Sequence, residues 1–187
     1  MPKGIADHRT RLLGAAEKTT YRYGFGNTAI ADIAQEARIP LGNVYYYFKT
    51  KDEIAAAIID RRVSRFRKLL EEFDKTDSPN ERLCAFVNVK IKNREELARQ
   101  GCPVGTLCSE LRKLGGSAAE QSTLLFRTAL EWMEKQFQAL GKGADSRSLA
   151  VHLLAATQGV SVLAHTFRDP ALIDMEAARL LDWIRSL

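Results

Sequence analysis

The sequence predicts an all-α protein of about nine helices, and three observations lead to that prediction. Apolar residues recur at three- and four-residue steps through most of the 187-residue chain, which is the spacing of one helix face. No stretch combines strand-like alternation of apolar and polar residues with hairpin turns. Glycine and proline cluster between the periodic stretches, where helices are expected to end.

The first third of the chain is predicted to hold three helices. Residues 1–6 have the composition of a disordered start, and an amphipathic helix is predicted over about residues 7–23. Thr28 is predicted to cap a second helix, because its hydroxyl can accept an unpaired backbone N–H. Pro40 and the glycine two residues later predict a tight turn before a third helix, over about residues 43–48.

The third helix is predicted to have a polar outer face. Val44 and Phe48 lie four residues apart and are expected to face inward. Three consecutive tyrosines, at positions 45–47, cannot all face inward, so at least one points outward. Lys49 and Lys51 follow directly. Two short helices joined by a turn, the second rich in hydroxyls and followed by lysines, are typical of a DNA-reading helix-turn-helix.

The remaining two thirds are predicted to be helical as well. A long fourth helix, over about residues 51–73, has the length of a connector to the N-terminal head. Ser78-Pro79-Asn80-Glu81 has the cap, proline and acid that begin a helix. Further helices are predicted over about residues 78–97, 106–114, 117–140, 147–168 and 170–187.

The last two predicted helices differ in composition from the others. The helix over about 147–168 is apolar on nearly every side and must therefore be covered on every side. The helix over about 170–187 is apolar along one side. Two such helices suit a four-helix bundle formed with a second copy of the chain. Burial within one chain is the alternative.

The formal charge of +5 is unevenly distributed. Residues 1–70 contain 13 Lys and Arg against 7 Asp and Glu, whereas residues 71–187 contain 15 against 16. The basic first third suggests a polyanionic partner for that third, against the alternative of chance asymmetry on a solvated surface. No apolar run approaches the ~20 residues that span a bilayer, and the N-terminus lacks a signal-peptide pattern. We therefore expect a cytoplasmic protein with no membrane partner.

Residues 8–54 resemble the N-terminal domain of TetR/AcrR-type transcriptional regulators. The shared residues are Tyr23-Gly24, Thr28, Ile30-Ala31-Asp32-Ile33-Ala34, Gly42, Val44-Tyr45-Tyr46-Tyr47-Phe48, and Lys51 leading into Ile54. The resemblance implies a homodimer that binds a palindromic double-stranded DNA operator, usually as a repressor released by a small-molecule inducer. It implies a DNA-binding domain over residues 1–52 and a ligand-binding and dimerisation domain over residues 53–187, with no enzyme activity.

The resemblance also implies individual DNA contacts. Phosphate contacts are implied for Thr28, Tyr45, Tyr47 and Lys51. Base-edge contacts are implied for Asn43 and Tyr46, with Leu41 and Gly42 close to the groove. For Asn43 the alternative is an ordinary surface residue.

Three positions depart from the common pattern of that family. Arg38 stands where a glycine often ends the second helix, so either the turn is strained or this arginine adopts a left-handed conformation. Pro40 replaces the usual serine cap but still suits a first turn. Leu41 replaces a frequent lysine, which favours apolar contact with a thymine methyl group.

Nothing in residues 74–187 predicts a reaction. No glycine-rich phosphate loop, no paired carboxylates with a nucleophile and no metal-spaced histidine or cysteine cluster is present, so no cofactor is expected. An apolar or aromatic ligand is expected, because the candidate lining has that character, although each residue equally suits a core. The candidates are Phe66, Phe86, Cys102, Leu107, Phe126, Met133 and Phe137.

Cys102 supports a sharper hypothesis about that ligand. The segment from Gly101 to Leu111 resembles a Gly-Cys-(x)n-Glu-Leu segment of a TetR subgroup, some members of which sense electrophiles through this cysteine. Cys102 precedes a short predicted helix, whose aligned N–H groups favour the reactive thiolate. The alternative is a small buried residue at a turn. A disulfide with Cys108 is permitted by the spacing but disfavoured in the cytoplasm.

Two other function classes stay open. One is an all-α enzyme or carrier that binds a hydrophobic small molecule. The other is a nucleic-acid-binding protein without sequence preference.

Overall fold

The computed structural model describes residues 3–187, with side chains from Asp7 onward. The described part contains ten α-helices, one 3-10 turn at Gly143–Asp145 and no strand. The helices are α1 (Lys3–Tyr23), α2 (Ile30–Ala37), α3 (Leu41–Tyr47), α4 (Lys51–Phe73), α5 (Pro79–Lys92), α6 (Arg94–Gln100), α7 (Pro103–Leu114), α8 (Ser117–Ala139), α9 (Ser146–Phe167) and α10 (Ala171–Arg185). The all-α prediction is confirmed.

The described helices form two compact units. The head unit contains the described residues up to Val63 together with Thr106–Leu124, and the body unit contains Ser64–Gly105 and Leu125–Leu187. Three helices, α4, α7 and α8, contribute residues to both units.

Two predictions about the start of the head unit are wrong. The start predicted to be disordered is helical from Lys3 onward, and residues 1–2 lie outside the described residues. Thr28 does not cap α2, because its side chain is buried and its hydroxyl donates to the carbonyl oxygen of Gly24 at 2.7 Å. The N-cap of α2 is Ala29, whose N–H donates to the carboxylate of Asp32 at 2.7 Å.

The end of α2 shows how this chain does without the expected glycine. Arg38 adopts the left-handed conformation, with φ 54° and ψ 47°. Its N–H donates to the carbonyl oxygen of Gln35, and the next N–H, that of Ile39, donates to Ala34, each at 3.0 Å. These bonds satisfy the last carbonyls of the helix and set the sharp turn into α3.

One helix predicted in the body is two helices. The predicted cap at its start is confirmed, because the hydroxyl of Ser78 accepts the N–H of Glu81 at 3.3 Å. However, α5 ends at Lys92. Its C-cap is Asn93, whose side-chain amide donates to the carbonyl oxygen of Val89 at 2.7 Å, and α6 then begins at Arg94. The following helix begins at Pro103 rather than Thr106, since proline is well suited to a first helical turn.

Helix α9 is buried on one side only. Its inner side, including Ala150, Leu153 and Ala164, is fully buried, whereas Val162 and Phe167 on the other side are 63% and 67% exposed, so the helix is not buried on every side within one chain. The segment Gly143–Phe167 contains no uninterrupted apolar run of ~20 residues, but it is long and apolar enough, with a mean hydropathy of 1.2, to cross a membrane by length and composition. A core helix passes the same test, and α9 contributes to the core of the body unit.

Candidate nucleic-acid interface

Helix α3 exposes the side chains that the sequence predicted to face outward. Tyr46 is 68% exposed, Tyr45 44% and Leu41 43%, and Asn43 is exposed beside them. Tyr47 is half-buried. We call the exposed set Leu41, Gly42, Asn43, Tyr45 and Tyr46 the α3 face.

The α3 face is held outward by two buried residues, one between its members and one directly after the helix. Val44 is fully buried and Phe48 is 3% exposed, as predicted. Val44 within the seven-residue helix and Phe48 at its C-cap therefore anchor α3 by its inner side. The rings of Tyr46 and Tyr47 meet edge to face at 5.1 Å between centroids, which supports the exposed ring of Tyr46.

Gly42 leaves an open space on this face. A Cβ atom built there would meet nothing within 4 Å, and its φ is not positive. Nothing within the described chain therefore requires a glycine at this position. The arrangement permits another molecule to approach the backbone closely.

Two lysines follow α3, and both donate hydrogen bonds to backbone carbonyl oxygens of the head. The ammonium of Lys51 donates to the carbonyl oxygen of Gly26 at 3.2 Å and lies 4.6 Å from the ring centroid of Phe25. Partial burial lowers the pKa of Lys51, while the carboxylates of Glu110 and Asp32 act in the opposite direction. This lysine therefore has a defined position.

Lys49 was not selected as a contact residue from the sequence. Its ammonium donates to the carbonyl oxygen of Tyr45 at 2.6 Å, so its charge lies next to the α3 face. The signal that could have identified it is its position directly after the tyrosine run. Thr28, in contrast, is not brought to the surface, because its side chain is 2% exposed.

Six of the seven predicted ligand-lining residues lie in the body unit, where they divide between two apolar clusters. Five of them, Phe66, Phe86, Phe126, Met133 and Phe137, belong to one apolar cluster of the body unit. Within it, the rings of Phe66 and Phe86 meet edge to face at 6.3 Å. Cys102 belongs to a second body cluster with Ala98 and Val160, and Leu107 lies in the head unit.

Cys102 is 8% exposed and its sulfur has polar neighbours. The N–H of Gly105, in the first turn of α7, donates to its Sγ at 3.4 Å. The ammonium of Lys90 lies 4.0 Å from the same sulfur. Cys108 is a free thiol whose Sγ donates to the carbonyl oxygen of Ser122, so the two cysteines are not joined as a disulfide.

Within the part of the chain that the structure describes, no group of three His, Cys, Asp or Glu residues is arranged to hold a metal ion.

Comparisons with known proteins agree with this geometry. The family described as "Bacterial regulatory proteins, tetR family" matches residues 12–58, which include α2, α3 and the start of α4. An uncharacterised HTH-type transcriptional regulator of Lactococcus lactis is 28% identical over 88% of this chain and 87% of its own length. The transcriptional repressor NemR of Escherichia coli is 24% identical over 54% of this chain, a match that spans 48% of NemR.

Solved structures share the fold over nearly the whole chain. A TetR transcriptional regulator from Chloroflexus aurantiacus superposes with a TM-score of 0.86 at 21% identity, covering 99% of this chain and 97% of that one. The head geometry, the family match and the whole-length relatives point to one conclusion. Residues 12–58 belong to the tetR family of bacterial regulatory proteins, and the chain is a DNA-binding transcriptional regulator.

Proposed function

We propose that the chain acts as a homodimeric repressor that binds a palindromic operator and is released by an apolar or electrophilic small molecule. The observation that carries the DNA-binding part is the exposure of Tyr45 and Tyr46 on a short helix fixed by two buried residues. A packed core helix would bury these rings.

In this proposal the α3 face enters a major groove. Asn43 and Tyr46 read base edges, Leu41 contacts a thymine methyl group, and Gly42 permits close approach of the backbone. Tyr45, Tyr47 and Lys51 contact phosphates, which set the register of the helix in the groove. Lys49 adds positive charge beside them. Thr28 has no direct contact through its buried side chain.

The second copy is proposed to pack on the exposed side of α9, with α10 beside it. This α9 face carries Val151, Ala155, Gly159, Val162, Leu163 and Phe167, and Leu163 and Phe167 are 50% and 67% exposed. An apolar side of this kind on a long helix suits a four-helix bundle about a two-fold axis. Two heads paired in this way would reach half-sites about 34–36 Å apart.

Residues 1–52 are the proposed DNA-binding domain and residues 53–187 the proposed ligand-binding and dimerisation domain, acting in the cytoplasm. The five clustered residues of the body, which include four phenylalanines, favour an apolar or aromatic inducer. An inducer releases DNA only if it binds the DNA-free conformation more tightly than the DNA-bound one.

The DNA-binding part is tested by enriching fragments from a random DNA pool with the purified protein. The selected fragment and random DNA are then titrated by fluorescence anisotropy at rising salt. A sequence-specific regulator keeps a preference of about 10³-fold or more as salt rises. Equal loss on both DNAs would instead indicate a binding protein without sequence preference. Absence of binding even at low salt would leave the helical carrier or enzyme.

Cys102 is the proposed contact for an electrophilic inducer, supported by the Lys90 ammonium and the Gly105 N–H beside its sulfur. Cys102→Ser is expected to leave operator binding intact and to abolish release by quinones or aldehydes. Cys84→Ser, which alters the half-buried cysteine, is the matched control and keeps the response. Release that persists unchanged in Cys102→Ser would remove the cysteine from the mechanism.

A further inference from the structure

Glu110, on α7, lies against the loop that joins α1 to α2. Its Oε2 accepts a hydrogen bond from the backbone N–H of Gly26 at 2.9 Å, across 84 positions of sequence. A Cβ atom on Gly24 would stand 3.1 Å from Oε1 and 3.2 Å from Oε2 of the same carboxylate. Since Gly24 also has a φ of 85°, only glycine lets the loop pass this closely over the carboxylate.

The carbonyl group of Gly26 is held by a second charged side chain. The ammonium of Lys51 donates to this oxygen at 3.2 Å while lying over the ring of Phe25. Gly26 therefore gives its N–H to a carboxylate and accepts from an ammonium. Hydrogen bonds with one charged partner are about twice as strong as those between neutral groups, so the two peptide groups that flank the Gly26 Cα are both well fixed.

The position of this loop also determines where α2 begins. The buried hydroxyl of Thr28 closes the loop by donating to the carbonyl oxygen of Gly24 at 2.7 Å. The N-cap residue of α2, Ala29, follows directly. A shift at Gly26 would consequently displace both Lys51 and the start of α2.

We propose that Glu110 is a positioning residue for DNA binding, whose carboxylate fixes Gly26 so that Lys51 is held where it contacts a DNA phosphate. The inference rests on the phosphate contact proposed above for Lys51. Glu110 does not itself touch DNA, because a carboxylate and a phosphate repel each other. It acts through the loop.

The experiment separates the hydrogen bond from the charge. Glu110→Gln keeps an oxygen that can accept the Gly26 N–H, whereas Glu110→Ala removes it. Glu120→Ala, on α8 in the same unit, removes one exposed carboxylate away from the loop and is the charge-matched control. Each variant is titrated with the selected operator and with random DNA over a salt series, after thermal melting confirms its fold.

Glu110→Ala is expected to weaken binding to both DNAs about tenfold, the order of one hydrogen bond to a charged group. Its plot of log affinity against log salt is expected to flatten by about 0.9, the contribution of one phosphate contact. Glu110→Gln should restore binding to within about threefold of the original chain, and Glu120→Ala should leave it unchanged.

A double variant distinguishes positioning from a general structural effect. If Glu110 acts chiefly through Lys51, then the loss of affinity in Glu110→Ala combined with Lys51→Ala is clearly smaller than the sum of the two single losses. Additive losses, or an unchanged salt slope in Glu110→Ala, overturn the inference and leave the Lys51 contact standing. An unchanged slope in Lys51→Ala overturns the phosphate contact itself. If Glu110→Ala does not fold, Glu110→Asp, which withdraws the carboxylate by one methylene, takes its place.

Discussion

Two exposed apolar surfaces, one in each compact unit, differ in the groups that accompany their apolar atoms. The α3 face combines the rings of Tyr45 and Tyr46 with hydroxyl groups and the amide of Asn43, and lysines follow it. The α9 face places aliphatic side chains around Ala155 and Gly159. Exposure alone therefore does not identify the partner of a surface. Hydrogen-bonding groups and positive charge suit DNA, whereas a small-residue aliphatic face suits a second protein helix.

The largest expected effect comes from placing a charge on the α9 face. Leu163→Glu would bring two carboxylates together across the proposed two-fold axis, in an apolar interface that solvates neither of them. We expect a monomer by light scattering and a loss of operator affinity of roughly 100-fold or more, because one head alone binds one half-site. Leu114→Glu, at a position 61% exposed on α7, is the matched control. A dimer that persists in Leu163→Glu would place the interface elsewhere.

A smaller effect, confined to sequence preference, is expected on the α3 face. Tyr46→Ala removes the most exposed ring of that face while leaving the buried residues that fix the helix. Discrimination at one or two base pairs should fall by about 1–3 kcal/mol each, with little change on random DNA. Repeating the DNA selection with the variant measures this directly. Equal weakening on all sequences would assign Tyr46 to the backbone instead.

Lys51→Ala tests whether phosphate contacts and base contacts are made by different residues of the head. Binding should weaken by a similar factor on operator and random DNA, and the salt slope should fall by about 0.9, because a phosphate contact carries no sequence information. Anisotropy titrations of both DNAs over a salt series provide the measurement. A change in preferred sequence without a change in slope would exchange the roles given to Lys51 and Tyr46.

The smallest expected effect is on the free energy of unfolding, and it comes from replacing a residue with a left-handed backbone. Arg38 pays for a left-handed conformation that glycine adopts freely, so Arg38→Gly should stabilise the chain by up to about 1 kcal/mol. Urea unfolding gives the value. Arg168 has a similar φ of 56°, but its guanidinium donates to the carbonyl oxygen of Arg99. Arg168→Gly loses that bond and should gain less; an equal gain in both would show that the bond contributes nothing.

The head was predictable because its signals are local. Val44 and Phe48 face inward and the neighbouring tyrosines outward because helical spacing fixes both at once. The left-handed Arg38 was one of two stated alternatives. Thr28 was misassigned because a hydroxyl near a helix start can either accept from the helix or donate backwards, and only the closed loop decides.

The body was less predictable because its contacts are distant in sequence. Periodicity placed α8 and α9 to within one residue but could not divide apolar side chains between two clusters, as for Phe137 and Cys102. The break at Asn93, whose side-chain amide donates to the carbonyl oxygen of Val89, lies in a stretch with no glycine or proline to indicate it. The contact between Glu110 and Gly26 joins residues 84 positions apart, so no local sequence pattern predicts it.

The edge-to-face contact between Tyr46 and Tyr47 has a thermodynamic consequence for recognition. A long, mobile side chain loses rotamer freedom when it is immobilised in an interface, at a cost of about 0.5–1.5 kcal/mol. A ring with two side-chain torsions, already braced by its neighbour, has less freedom to lose. Part of the entropy cost of ordering the Tyr46 side chain is thus met when the chain folds rather than when it binds DNA.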